Sequence, residues 1–371
     1  MVFEALIIFL VTAVSSAFLV ALIMRLSHKN SWYDHINERK IHSGDVPRLG
    51  GIGFAVVFIA AAAITLFTRE TDIIIHYLPC LAGIFIIVIS GVWDDFHPMR
   101  PLIKLLIQII AALCVIIPGF MFTRIIYLET GFLENLTLLQ YPITLLWIVG
   151  MTNAMNLIDG LDGLAGGISF IIALTFGVIF FGYTETVSIA ILCVCLGGSI
   201  IGFLIFNAPI PKAKIFMGDG GSQFLGFVLA LLPLIDRHDT AARLPVCYAA
   251  ALLIIPIFDT TAAVWRRLRD RQSISSPDRA HIHHKLIRLG FSVRKINAIL
   301  MSLQLMLSVL VYISLRCGGW MSLFILGCAY MLAFIFFIAI HFLNRKAILN
   351  SKGSSFSADA AMRPVSRIIA K

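Results

Sequence analysis

Eleven apolar runs, at 3–24, 51–68, 77–93, 102–121, 139–156, 164–182, 187–206, 221–235, 244–264, 297–315 and 320–343, dominate the chain. A membrane-spanning helix needs ~20 mostly apolar residues. Lipid supplies no water to satisfy an open backbone, so each run is expected to be helical. Composition agrees: 59% of the 371 residues are hydrophobic and 13% are charged, against ~45–50% and ~25% in soluble domains. The expected fold class is all-α, a polytopic membrane domain over residues 1–343 with about eleven spans (ten or eleven). A Ser/Ala-rich basic tail, 344–371, is expected to be a mobile, surface-associated end. The first run carries Glu4 near its start, has no basic stretch before it and shows no clear cleavage site, so it reads as a retained helix and not a signal peptide.

Basic residues orient the bundle. Segments 25–50, 93–104, 207–220, 266–296 and the tail hold 24 of the 29 Lys and Arg residues. The alternate connections hold only Arg69, Arg124, Arg237, Arg243 and Arg316. The first set is therefore read as cytoplasmic, with the N-terminus outside and the C-terminus inside. The net charge of +9 then lies beside anionic headgroups and anionic substrates. The candidate functional residues sort to the same side, whereas the span centres carry almost no acids. That argues against an ion-coupled transporter, whose ionisable groups sit near the midplane.

Four polar constellations interrupt this apolar background. In GVWDDFHPMRPLIK, Asp94 and Asp95 close a helix, and neighbouring carboxylates repel unless a cation compensates them. They suit Mg²⁺ or a substrate phosphate, with Lys104 beyond them as a phosphate contact; a solvated loop pair is the bland alternative. In NAMNLIDGLDG, Asn153, Asn156 and Asp159 recur every three residues, along one face at a helix end. Gly160 breaks that helix and Asp162 follows in the turn. Such oxygen donors suit a hard cation, and the amides suit a nucleotide. Helix capping explains one Asn and one Gly, not the whole set.

In KAKIFMGDGGSQFLG, a glycine-rich turn opens an apolar helix and offers backbone N–H groups to an anion, with Asp219 placed to hold a metal. Simple capping by Asp219 or Ser222 is the competing explanation. The spacing is not that of a Walker A loop. The longest polar loop holds Arg266, Arg267, Arg269, Arg271, Arg279, His281, His283 and His284. His281 and His284, at i and i+3, are expected to share a helical face, with His283 pointing elsewhere. A diphosphate-binding arm fits the surrounding charge better than zinc. Asp259 is expected to face the bundle interior, pairing with a basic loop residue or tuning the site. Arg48, before Gly50 and Gly51, is a further phosphate candidate. The seven cysteines lack ligand spacing and are read as small buried hydrophobes.

Taken together, Asp94–Asp95, N-x-x-N-x-x-D-G-x-D-G-L, F-M-G-D-G-G-S and P-D-R-A-H-I-H-H resemble the polyprenyl-phosphate N-acetylhexosamine-1-phosphate transferases. That family shares a superfamily with the phospho-MurNAc-pentapeptide transferases. The interrupted H-I-H-H form resembles the branch that uses UDP-GlcNAc or a related UDP-sugar; the pentapeptide branch has three adjacent histidines. The resemblance runs from about 45 to 291. It implies a multi-pass protein of the bacterial plasma membrane with a cytoplasm-facing site, and Mg²⁺ or Mn²⁺ as cofactor. It implies UDP-N-acetylhexosamine, undecaprenyl phosphate and the bilayer as partners. Nucleic acid is not among them, and a homodimer is admitted. It also implies a metal role for Asp219, a catalytic role for Asp94, Asp95, Asp159 and Asp162, and substrate binding by Lys104, Asn153, Asn156, Arg267, Arg279, His281, His283 and His284.

The implied reaction moves a sugar-1-phosphate onto the lipid phosphate and releases UMP. A phosphate monoester has a second pKa of ~6, so the lipid phosphate needs little help from a base. Direct in-line attack is favoured over an aspartyl-phosphate intermediate. The rival readings are a pentapeptide transferase and a lipid-linked sugar flippase, which would release no UMP.

Overall fold

The computed structural model describes residues 2–33, 46–69, 74–126, 136–183, 187–208, 210, 212–235, 244–273, 278 and 280–361. Thirteen α-helices account for most of them: α1 (Val2–Asn30), α2 (Gly50–Arg69), α3 (Ile74–Phe96), α4 (Pro101–Ile116), α5 (Gln140–Ile158), α6 (Leu164–Tyr183), α7 (Val187–Asn207), α8 (Gly218–Leu231), α9 (Val246–Leu252), α10 (Ile254–Arg269), α11 (Ile282–Arg288), α12 (Val293–Cys317) and α13 (Gly319–Ala361). Among the described residues the only β pairing is an isolated bridge between Tyr33 and Pro47. The all-α, polytopic expectation holds.

Each of the eleven apolar runs is helical. Eight helices are long and apolar enough to cross a membrane among the described residues, and α9 with α10 makes a ninth if the bent pair is one span. The other two runs form α4 and α8, of 16 and 14 residues. At 1.5 Å per residue these reach only ~24 and ~21 Å, less than the ~30 Å hydrocarbon thickness. α4 opens on Pro101 with Lys104 in its first turn, and α8 opens on Gly218 and Asp219. α13 runs past Leu343, through the first part of the expected tail, to Ala361. The helix formers Arg345, Lys346, Ala347 and Leu349 give it no reason to stop at the apolar boundary.

α8 is the centre of the bundle. Every residue from Gly220 to Leu231 is buried. α2, α3 and α5 pack around it, while α1, α2 and α6 surround α7 and α13 lies against α12. α1 and α13 are mostly exposed and turn Leu10, Val14, Phe18, Phe324 and Phe334 outward, as lipid-facing helices do.

The glycines near the start of α8 permit unusually close packing. A Cβ on Gly221 would fall 2.6 Å from Gly51 Cα of α2, and one on Gly91 of α3 would fall 2.5 Å from Gly220 Cα. No larger residue fits either crossing.

α9 and α10 meet at 88°. Such a break leaves carbonyls that lipid cannot satisfy, and Gln304 of α12 donates its amide to Leu252 O at 2.9 Å. The cysteines are all free. Cys80, Cys193 and Cys195 are buried as expected, but Cys317 and Cys328 are exposed on lipid-facing helices, where an apolar surface costs nothing.

Candidate active site

The start of α8 is held by a neighbour. Asp95, on the last turn of α3, accepts the backbone N–H of Asp219 at 2.8 Å and of Gly220 at 3.1 Å. It is a cap supplied from another helix. The competing explanation, a cap by Asp219 or Ser222, is not what is found: Ser222 Oγ turns back onto Gly218 O at 3.1 Å. These two N–H groups were read as an anion cradle, and here a protein carboxylate takes them. Gly218 (φ +75°) makes the approach possible: a Cβ there would lie 2.6 Å from Asp95 Oδ2.

With its N–H held, the Asp219 side chain is free to meet cations. Lys104 Nζ donates to Asp219 Oδ2 at 3.0 Å and also pairs with Asp94 Oδ2. Met99 N–H fixes the other Asp94 oxygen at 2.7 Å. Arg48 sits 3.3 Å from Asp95 Oδ1 and 3.6 Å from Asp219 Oδ1. Pro101 starts α4 so that Lys104 faces back toward α3 and α8.

One turn deeper, three amides bolt the same helices together. Gln108 of α4 accepts Asn153 Nδ2 at 2.6 Å and donates to Gln223 Oε1 of α8 at 3.1 Å. The remaining N–H of Asn153 goes to Val149 O at 2.8 Å. Asn153 is therefore turned into the scaffold. Asn156 Nδ2 donates to Ser222 Oγ at 2.8 Å.

Asp159 ends α5, and its carboxyl is pushed up to about 8 by burial and then by Asp219, Asp95 and Asp162, with Arg48 opposing. The turn after it is pinned from both sides. Asn207 Oδ1 accepts Gly163 N–H at 2.9 Å, and Asn297 Nδ2 donates to Asp162 O at 2.7 Å.

The histidine loop closes onto this turn. A Cβ on Gly160 would lie 2.6 Å from His283 Cε1, so the missing side chain is what lets the imidazole in. The His281 and His283 rings are parallel at 5.9 Å, and His283 lies 4.3 Å from His284. The expected shared face of His281 and His284 is corrected: the helix starts at Ile282, so His281 precedes it and helical spacing does not apply. Burial, and then His284, press His283 down to about 3, so it is a neutral imidazole. Asp259 of α10 accepts from His281 Nδ1 at 2.8 Å and from Ile282 N–H at 2.7 Å. Arg267 is buried on the last turn of α10, and Arg279 lies outside the described residues.

Asp94, Asp95, Asp159, Asp219, Lys104, Arg48, Asn156 and the histidines thus meet although they come from five separate stretches of sequence. Sequence reasoning passed over Gln108, Gln223, Asn207 and Asn297. Their signal was an isolated amide inside or at the edge of an apolar run, where a polar group must find a partner.

The donor set suits a magnesium-like ion of a particular kind. Among the described residues no three His, Cys, Asp or Glu side chains gather as a metal cage. Mg²⁺ usually takes one or two carboxylates and completes its shell with water and substrate phosphates. Asp94 and Asp219 already cradle a cation, the Lys104 ammonium, so the pair has the charge and the approach that a cation needs.

The glycosyl transferase family 4 model matches residues 77–236, which include the Asp94–Asp95, Asn153–Asp162 and Asp219 segments. A Bacillus subtilis protein described as a probable undecaprenyl-phosphate N-acetylglucosaminyl 1-phosphate transferase is 34% identical over 86% of this chain and 87% of its own length. The undecaprenyl-phosphate alpha-N-acetylglucosaminyl 1-phosphate transferase of Escherichia coli is 30% identical over 73% of each chain. A decaprenyl-phosphate N-acetylglucosaminephosphotransferase of Mycolicibacterium smegmatis is 32% identical over 70% of this chain and 69% of its own. The chain belongs to glycosyl transferase family 4, among its polyprenyl-phosphate N-acetylhexosamine-1-phosphate transferases.

Proposed function

We propose that this protein transfers GlcNAc-1-phosphate from UDP-GlcNAc to undecaprenyl phosphate, releasing UMP, at the cytoplasmic face of the plasma membrane. The observation that carries the reading is the Asp94–Lys104–Asp219 arrangement, beside Arg48 and Asp159, at the polar end of a buried helix. Two anionic substrates must be brought together there, and a site of mixed charge with low-dielectric walls suits that task.

The reaction is written as an in-line displacement. An oxygen of the lipid phosphate attacks the sugar-linked phosphorus, a new P–O bond forms, and the bond to the oxygen bridging the two phosphorus atoms of UDP-GlcNAc breaks. UMP leaves with that electron pair. Lys104 and Arg48 face the negative charge that builds on the transferred phosphoryl group. Asp94 orients Lys104, and Asp95 fixes the backbone of Asp219. Asp219, with Asp94, would hold Mg²⁺, which when bound offsets the diphosphate's charge. Asn156 and the histidine loop border the nucleotide side, and Asp159 ends α5 beside them, its carboxyl raised by burial and by the neighbouring carboxylates.

The test is direct. Purified protein is mixed with undecaprenyl phosphate and a panel of UDP-sugars, with Mg²⁺ or EDTA, and UMP is measured. UMP release that needs UDP-GlcNAc, lipid phosphate and the metal is expected. Lipid translocation without UMP, or turnover only with UDP-MurNAc-pentapeptide, would overturn the reading.

A further inference from the structure

We propose that Asp259 is a positioning residue that fixes which nitrogen of His281 faces the transfer site. The inference rests on the phosphosugar-transfer reading above. Asp259 lies on α10, 22 residues before His281, and is 2% exposed. Both its oxygens are committed: Oδ2 accepts from His281 Nδ1 at 2.8 Å, and Oδ1 accepts the Ile282 N–H at 2.7 Å.

The first bond places the ring proton on Nδ1 and leaves Nε2 as the nitrogen available to a ligand. The second ties the backbone beside the ring, so the imidazole can neither slide nor rotate away. His281 itself is 5% exposed and lies parallel to His283, whose ring rests on Gly160 in the turn that carries Asp159 and Asp162. Asp259 therefore stands behind the histidine wall, with His281 between it and the site. This is the arrangement in which a carboxylate sets the tautomer and angle of a functional imidazole without touching the substrate.

Asparagine at this position is close to isosteric but offers one acceptor where two are needed. Its NH₂ must face either the Ile282 N–H or the His281 Nδ1. The first option sets donor against donor. The second moves the ring proton to Nε2.

Two measurements test the inference separately from the transfer reading. In ¹⁵N-histidine-labelled protein, with His281 assigned by its loss in His281→Ala, the Nδ1-protonated signal is expected in the native chain and a shift toward Nε2–H in Asp259→Asn. UMP release is expected to fall about 10–100-fold in Asp259→Asn, the scale on which a functional histidine suffers when its orienting partner goes. The Asp259→Asn/His281→Ala double variant should be no slower than His281→Ala alone, because one residue acts through the other. Asp270→Asn, which removes an exposed carboxylate from the end of the same helix, should match the native rate. Asp259→Glu, which keeps the charge but displaces it, serves if the Asn variant does not fold, and should also slow turnover.

An unchanged His281 tautomer, a native rate in Asp259→Asn, or losses that multiply in the double variant would each overturn the proposal. If the native chain releases no UMP while the tautomer shifts as expected, the transfer reading falls and the positioning role stands.

Discussion

Asp95 and Asp219 lie 124 residues apart in sequence, yet the Asp95 carboxylate holds the Asp219 N–H at 2.8 Å. The two aspartates therefore do different things, although both stand in acidic motifs. Asp95 clamps a backbone, whereas Asp219 keeps its side chain toward Lys104 and Arg48 and is the metal ligand in the proposal above. Asp95→Ala should cost about 0.5–2 kcal/mol, as loss of a helix cap does, and lower the melting temperature as well as turnover. Asp219→Ala should abolish UMP release while the protein stays folded, because Lys104 keeps Asp94 as its partner. Near-normal turnover in Asp219→Ala would sink the metal assignment.

The Gly91–Gly220 crossing yields a steric prediction. A methyl on Gly91 meets Gly220 Cα at 2.5 Å, so α3 and α8 must part in Gly91→Ala. Overpacking of this kind costs about 1–3 kcal/mol. The same movement draws Asp95 away from the start of α8. Thermal melting and UMP release should fall together, in contrast to Asp219→Ala, where only the second falls.

Gln108 tests the amide bolt beneath the carboxylates. Gln108→Leu leaves Asn153 short of an acceptor and Gln223 short of a donor. Each unsatisfied buried group costs about 1–3 kcal/mol. Lys104 sits one turn above on the same helix, so its aim at Asp219 loosens. Turnover should drop more than the apparent affinity for UDP-GlcNAc. Steady-state kinetics that show the opposite split would contradict this account.

His283 sets the direction of a pH effect. Its folded-state pKa, about 3, lies below the ordinary 6.5 because burial, and then His284, disfavour the charged ring. The unfolded chain therefore takes up a proton below 6.5 that the folded chain refuses until about 3. Stability from this group is complete above that window and is lost as pH falls through it. Melting curves of the native protein should move down between about pH 7 and pH 4, and His283→Gln should flatten that slope.

How far the sequence could be read followed from how local each feature is. The helices were legible because every run of apolar residues obeys one rule in lipid. The motif aspartates and histidines stood out because polarity in an apolar chain is costly. What stayed hidden depends on distant pairs. Nothing near Asp95 says that its partner is the backbone at Gly220, and nothing near Gly160 says that its missing side chain makes room for His283. The N-terminal cap on α8 comes from α3, where no local spacing points to it. The histidine spacing misled for a related reason: a helix starting at Ile282 puts His281 outside the repeat. The lone amides, Gln108 above all, were readable as a cost in search of a partner, although not as which partner.

The separation of Lys104 from Asp219 by 115 residues has a consequence for biogenesis. The chain leaves the ribosome in order, so α4 enters the bilayer four helices before α8. During that interval Lys104 has no Asp219 to meet, and from the end of its helix its ammonium can reach the polar interface. Asp94, ten residues upstream on the helix just delivered, is there from the outset and pairs with it. Asp94 is thus the partner that Lys104 can hold while α8 is still to come, and α8 then adds the second carboxylate.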